Sequence, residues 1–222
     1  MNTTTEPQTS KIIRNILLIC GIVSSLLYIF TDIFAVLMWE EYSYSSQTVS
    51  ELIAFNAPTR PWVAPLFIVY ALLIYAFGIG VWKSAKQRRV LRIAALLIIG
   101  KEILGLIVTL FFPIHLRGIE GTSSDIMHGI LTAVGVFLCM FPAMGFASAA
   151  FGKRFRLYSV CTIVIFIICG VLAGMYQPQY SANLPTPWMG ILERINIYGY
   201  MLWIVVLSII LLREDKSIKK QW

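Results

Sequence analysis

The sequence predicts an all-α fold: a polytopic integral membrane six-helix bundle, both termini inside, with a short amphipathic helix in the first outer loop. Three observations predict it. Six apolar runs, Arg14–Met38, Trp62–Trp82, Ile93–Ile114, Ile126–Ala150, Leu157–Tyr176 and Gly190–Leu212, alternate with short charged loops. Each run holds about 20 residues or more, enough at about 1.5 Å rise to cross a hydrocarbon core of about 30 Å. The chain is 58% apolar and 13% charged, with a mean hydropathy of +0.78, whereas a soluble domain is nearer about 25% charged. The third observation is that the basic residues crowd alternate loops, the bias that fixes orientation in a bilayer.

Taken in order, residues 1–13 form a polar tail expected to be disordered and cytoplasmic. The first run is too long for a signal-peptide core and no small-x-small cleavage site follows it, so it reads as an uncleaved first span. Residues 14–212 make a single transmembrane domain, and residues 213–222 a basic cytoplasmic tail. Lys11 and Arg14 precede the first helix, and Lys83, Lys86, Arg88, Arg89 and Arg92 join the second to the third. Lys153, Arg154 and Arg156 join the fourth to the fifth, and Arg213, Lys216, Lys219 and Lys220 follow the sixth. The opposite loops carry Arg60 and Arg117, with Arg194 near the start of the last helix. The net charge of +7 is therefore a topology signal for a multi-pass protein of the cell membrane, not a nucleic-acid footprint.

Trp39, Tyr42, Trp62, Tyr176 and Trp188 mark the outer boundary and Trp82 and Tyr158 the inner one, as aromatic belts do. Gly170–Gly174, Ala143–Ala147 and Gly145–Ala149 give small-residue faces that let helices approach. They read first as packing within the bundle and second as a homo-oligomer contact. Cys20, Cys139, Cys161 and Cys169 stand isolated inside helices and read as packing residues. In the first outer loop, Thr48-Val-Ser-Glu51 is a capping box that opens a short helix, and Asn56-Ala-Pro58 stops it. That helix is expected against the outer membrane face or tucked into the bundle mouth.

Charged groups inside a membrane are costly, which makes each one a functional hypothesis. Asp32 lies on one face with Ser25 and Tyr28, and Lys101 and Glu102 sit near the middle of the third helix. Neighbours in sequence point apart on a helix, so Lys101 and Glu102 are poor mutual partners and Asp32 is the candidate partner for Lys101. The set reads as a structural ion pair or as a proton or ion relay. A second set gathers at the outer ends: Ser50, Glu51, Arg60, His115, Arg117, Asp125, His128, Glu193 and Arg194. His115, His128 and Asp125 are an alternative metal set, although no compact ligand motif is present. Asp125 and Glu193 also read as caps at helix N-termini. A Ser50–His128–Asp125 triad can be written, but Asp125 and His128 share one helical turn and no nucleophile elbow is present.

The segment Ser50-Glu-Leu-Ile-Ala-Phe-Asn-Ala-Pro-Thr-Arg-Pro61 resembles the outer-loop signature of the bacterial and archaeal membrane family called domain of unknown function 998. Phe112-Pro-Ile-His-Leu-Arg-Gly118 and Asp125-Ile-Met-His128 resemble its other two outer-face motifs, in the same order. The sequence departs at Phe55-Asn56, where the resemblance leads one to expect a glycine-rich turn. The resemblance implies six membrane helices and supplies no reaction. A more distant similarity is to DRAM- and Sfk-type membrane proteins, linked to lipid asymmetry and membrane stress. Seven-helix ceramidase-like hydrolases, which use three histidines around zinc, are more distant still, and this chain has two histidines.

The leading expectation is a protein that binds or organises membrane lipid, or another small amphiphile, at the outer leaflet. Arg60, Arg117 and Arg194 would hold an anionic headgroup, with His115, His128, Asp125 and Glu193 ordering them. The alternatives are a membrane-embedded lipid hydrolase using His115, His128 and Asp125, and a small proton-coupled transporter using Asp32, Lys101 and Glu102. No cofactor is expected.

Overall fold

The computed structural model of the chain describes residues 8–118 and 121–218. Of the expected tails, 1–13 and 213–222, residues 1–7 and 219–222 lie outside the described residues, whereas 8–13 and 213–218 are helical and continue α1 and α6. Among the described residues six helices are long and apolar enough to cross a membrane. They are α1 (Gln8–Leu37), α2 (Arg60–Ser84), α3 (Arg89–Phe111), α4 (Ser123–Ala149), α5 (Lys153–Gly174) and α6 (Met189–Ile218). Helix α1 starts at Gln8, ahead of its apolar run, because a helix does not need to stop where the apolar solvent does.

With an even number of spans, the start of α1 and the end of α6 fall at one end of the bundle, the terminal end. The opposite end carries the long α1–α2 loop and is here called the cap end. Helix α1 packs on α2 and α6, α3 on α2 and α4, and α5 on α6 and the second half of α4. The main core, toward the terminal end, is built by Trp203, Phe77, Leu18, Leu91, Ile98 and Met144. A smaller cluster at the cap end joins Val49, Leu52 and Ile53 to Ala35, Val63 and Phe67. Ala143 and Ala147 are fully buried, so that small-residue face serves packing inside the bundle.

The loop helix forms where expected but as a 3-10 helix, Val49–Ile53. It is tucked into the bundle mouth, with Val49, Glu51, Leu52 and Ile53 buried. The Glu51 carboxylate reaches back to the Thr48 N–H at 2.7 Å, as a capping box requires. At the departure from the familiar loop pattern, Asn56 takes φ +62, the left-handed region that glycine would occupy and asparagine tolerates. Phe55 before it packs against the His115 ring at a tilt of 34°, centroids 4.7 Å apart.

Helix α4 is not uniform. Ser123–Val134 is α-helical, Gly135–Met140 is π-helical, and Phe141–Ala149 is α-helical again. Pro142 has no N–H and its ring crowds the carbonyl four residues back, and a widened turn accommodates both. All three segments of α4 pack on α3, and the last of them, Phe141–Ala149, packs on α5 as well. A lateral cleft lies between α4, α5 and α6 on the cap side of that contact.

Candidate functional site

The cap end holds two polar assemblies. The first centres on Arg194, one turn into α6 and 2% exposed. Its Nε and Nη2 donate to the two carboxylate oxygens of fully buried Asp32 at 2.8 and 2.9 Å. Nη2 also donates to the Tyr42 hydroxyl, and Nη1 to the carbonyls of Tyr44 and Gln47. All five guanidinium N–H groups thus have acceptors. The Tyr198 hydroxyl donates to the same Asp32 carboxylate at 2.5 Å. Gly190 is required beneath this cluster, because a Cβ there would overlap the Tyr44 and Gln47 carbonyls. Burial pushes the Tyr42 phenol well above its ordinary value, so it stays protonated and donates to the Gln47 and Thr48 carbonyls.

This overturns the expected Asp32–Lys101 pair. Helix α1 packs its Ser25–Asp32 face on α6, where the Ser25 hydroxyl also reaches the Met201 carbonyl at 3.2 Å. Lys101 instead bonds its neighbour Glu102, Nζ to Oε2 at 3.1 Å, and lies over the Tyr200 ring. The rule that sequence neighbours diverge on a helix holds for Cβ directions; the four-carbon lysine stem is long enough to fold back across the step.

Arg117 and Arg60 extend the same assembly. Arg117 donates from Nε and Nη2 to the buried Glu51 carboxylate at 2.8 and 3.2 Å, from Nη1 to Thr186, and from Nη2 to the Ser46 carbonyl. Arg60 donates to the Ile53 and Thr109 carbonyls, with its guanidinium over Phe55. The three arginines bind protein groups, which corrects the expectation that they face an anionic headgroup. Asp125 accepts from the Thr122 N–H at 2.8 Å, capping α4, and from the His115 N–H at 2.7 Å. Its Oδ2 lies 3.2 Å from His115 Nδ1. The Tyr180 hydroxyl, its titration pushed up by burial, donates to the His115 carbonyl and so fixes that loop.

The second assembly is small. His128, one turn into α4 and 9% exposed, has Nδ1 2.9 Å from the Phe112 carbonyl and Nε2 3.2 Å from Ser50 Oγ. The written triad is therefore corrected: Asp125 belongs to His115 and Thr122, and a main-chain carbonyl occupies the place beside His128. The alternative metal set is not assembled either. His128 directs both ring nitrogens elsewhere, and among the described residues no three His, Cys, Asp or Glu groups converge. Glu193 does not cap its own helix; its carboxylate accepts from the Val49 N–H at 2.6 Å, pinning the 3-10 helix beside Ser50.

Ser50, His128 and Glu193 line two spaces at once. One is a polar cavity of about 130 Å³ that reaches inward to Tyr70, Lys101 and Glu102. The other is the lateral cleft, about 720 Å³, which runs down past Thr132 and Val136 of α4, Phe166 and Gly170 of α5, and Asn196 of α6. Phe137 and Val171 on its rim are each 61% exposed, so the cleft opens sideways onto the apolar perimeter. Among the described residues, neither lysine nor arginine lines the cleft. The Asn196 Oδ1 is buried there without a hydrogen-bond partner.

Sequence reasoning missed Tyr42, Tyr198 and Thr186, which complete the arginine assemblies, and Asn196 in the cleft. A tyrosine near a membrane boundary reads as belt, and a lone threonine or asparagine carries no pattern. The signal for Asn196 was its i, i+3 spacing from Glu193, which puts both on one face of α6.

A six-span helical bundle with a capped end and a lateral cleft defines a multi-pass membrane protein. Residues 22–210 match the family described as "Protein of unknown function (DUF998)", and the chain belongs to that family. No curated protein and no solved structure matches the chain.

Proposed function

We propose that this protein binds a single-chain amphiphile in the lateral cleft, chain toward the bilayer middle and headgroup against Ser50, His128, Glu193 and Asn196. The observation that carries this reading is the cleft itself. It falls within the roughly 300–1,000 Å³ typical of ligand sites, is apolar along its length, and is polar at the cap end alone. The arginines are already occupied and the cleft lining holds Glu193 and Asp125 without a lysine or arginine, so the headgroup is neutral or cationic rather than anionic. The basic loops at the terminal end support a cell-membrane orientation with both termini cytoplasmic and the cleft's polar end in the outer leaflet.

The test is photo-crosslinking of the purified protein in nanodiscs with a diazirine-bearing, alkyne-tagged monoacylglycerol. Adducts are expected on Val136, Phe166, Ile167 and Val171. Adducts spread evenly over lipid-facing α1 residues such as Ile19, Leu26 and Phe30 would overturn the reading.

A second reading is proton-coupled transport, and one observation favours it. The inner cavity links Glu193 and His128 at the cap to Lys101 and Glu102 at mid-span. Amphiphile-driven proton uptake in proteoliposomes, abolished by Glu102→Gln, is the outcome it requires.

A further inference from the structure

We propose that Ser50 and His128 form an acyl-transfer dyad, with Ser50 Oγ as nucleophile and His128 as its base, acting on a long-chain acyl ester with an uncharged or cationic alcohol portion. The inference rests on the cleft-binding reading and adds a reaction to it.

The tautomer follows from the partners. His128 Nδ1 lies 2.9 Å from the Phe112 carbonyl, which only accepts, so Nδ1 carries the proton. Nε2 is then an acceptor, and it faces the Ser50 hydroxyl at 3.2 Å. That is the arrangement a serine nucleophile needs: hydroxyl proton aimed at an imidazole lone pair, and the far nitrogen held by a third group. Here a main-chain carbonyl, rather than a carboxylate, orients the ring. It is available because α3 ends at Phe111 and Pro113 turns the chain.

Position separates this pair from an ordinary structural hydrogen bond. The dyad stands where the cleft meets the inner cavity, so an acyl chain in the cleft brings its ester to Ser50. The polar cavity behind, about 130 Å³, has room for a few waters at about 30 Å³ each. Ser50 Oγ attacks the ester carbonyl carbon while its proton passes to His128 Nε2. The C–O bond to the alcohol then breaks, and the leaving alkoxide takes that proton. Water from the cavity attacks the acyl-Ser50 ester, again giving its proton to Nε2. Collapse releases the fatty acid and returns the proton to Ser50 Oγ. Ester plus water becomes acid plus alcohol, with no change of oxidation state.

The experiment uses the full chain in nanodiscs, treated with a long-chain alkyl fluorophosphonate and read by intact and peptide mass spectrometry. The expected result is one adduct per chain on Ser50, absent in Ser50→Ala and slowed by on the order of 10²-fold or more in His128→Gln. Should His128→Gln fail to fold, the wild-type labelling rate must still fall as the pH drops and the imidazole takes a proton. Labelling without that pH dependence overturns the role of His128. An unlabelled Ser50 in protein that still crosslinks the diazirine monoacylglycerol in the cleft overturns the dyad and leaves the binding reading standing. Loss of both labelling and cleft crosslinking overturns both.

Discussion

Ser50 and Glu51 are neighbours in one short helix, yet they belong to different kinds of site. Glu51 is fully buried and tied to Arg117, Gln47 and Thr48, and its assembly continues through Ser46 and Thr186. Ser50 is half-buried, bonds His128, and looks into two open spaces. The Arg194 and Arg117 clusters are saturated: their charges are paired and their N–H groups face carbonyls, hydroxyls and carboxylates of the same chain. The Ser50–His128 pair has been left accessible. Buried charge in a membrane protein invites a functional reading, but the comparison shows that the charged groups here build the frame and the less polar pair occupies the accessible place.

The comparison breaks most sharply at Arg194. Replacing it by Met leaves Asp32 buried without its bidentate partner, a loss of about 3–5 kcal/mol by the usual cost of orphaning a buried charge. Thermal unfolding in mild detergent is expected to show a large drop or no folded protein. An Arg194→Met, Asp32→Leu double variant is expected to recover part of it, since no charge is then stranded. Equal stability of the single variant and wild type would mean the cluster is not a frame.

Glu51→Gln is expected to cost less, about 1–3 kcal/mol. The amide keeps the shape but loses the charge opposite Arg117, and one end of it now donates where Thr48 N–H needs an acceptor. Hydrogen exchange localises this effect: amides of residues 42–56 are expected to exchange faster, while α2 and α3 amides stay protected.

The spans were legible because a 3.6-residue helix in hydrocarbon needs a long apolar run, and each of the six runs is found in a helix. The capping box was legible for a local reason: Thr48 and Glu51 are three residues apart, and the bond between them needs no knowledge of the fold. Partners across the bundle were not. That Asp32 meets Arg194 depends on α1 lying against α6, which periodicity does not fix. The role of the Phe112 carbonyl was invisible because a main-chain oxygen has no sequence signature. The cleft was invisible for the same reason as the Asp32–Arg194 pair: its walls come from α4, α5 and α6, and a scan for apolar runs does not say which helices lie together.

Ser50→Ala sharpens the comparison from the other side. It removes one hydrogen bond to His128, worth about 0.5–1.5 kcal/mol net, and leaves the Glu51 cluster untouched. Unfolding temperature is expected to fall far less than for Glu51→Gln, one position away. A loss as large as that of Glu51→Gln would place Ser50 in the frame.

The smallest expected effect on stability belongs to Gly129→Leu, and it is the most informative for the cleft. Gly129 follows His128 in sequence and lines the cleft, and a Cβ there meets nothing within 4 Å. Removing a mid-helix glycine contributes about 0.8–1 kcal/mol of helix propensity, so the variant is expected to be as stable as wild type or slightly more so. Its leucyl side chain would nevertheless occupy the space that the chain of an amphiphile needs. Crosslinking to Phe166 and Val171 is therefore expected to drop while the protein elutes and unfolds normally. Gly174→Leu, at the same cleft and equally open, is expected to repeat the result from the α5 wall. Two stable variants on opposite walls that leave crosslinking unchanged would show that the amphiphile sits elsewhere, and that the cleft is a packing gap between α4 and α5.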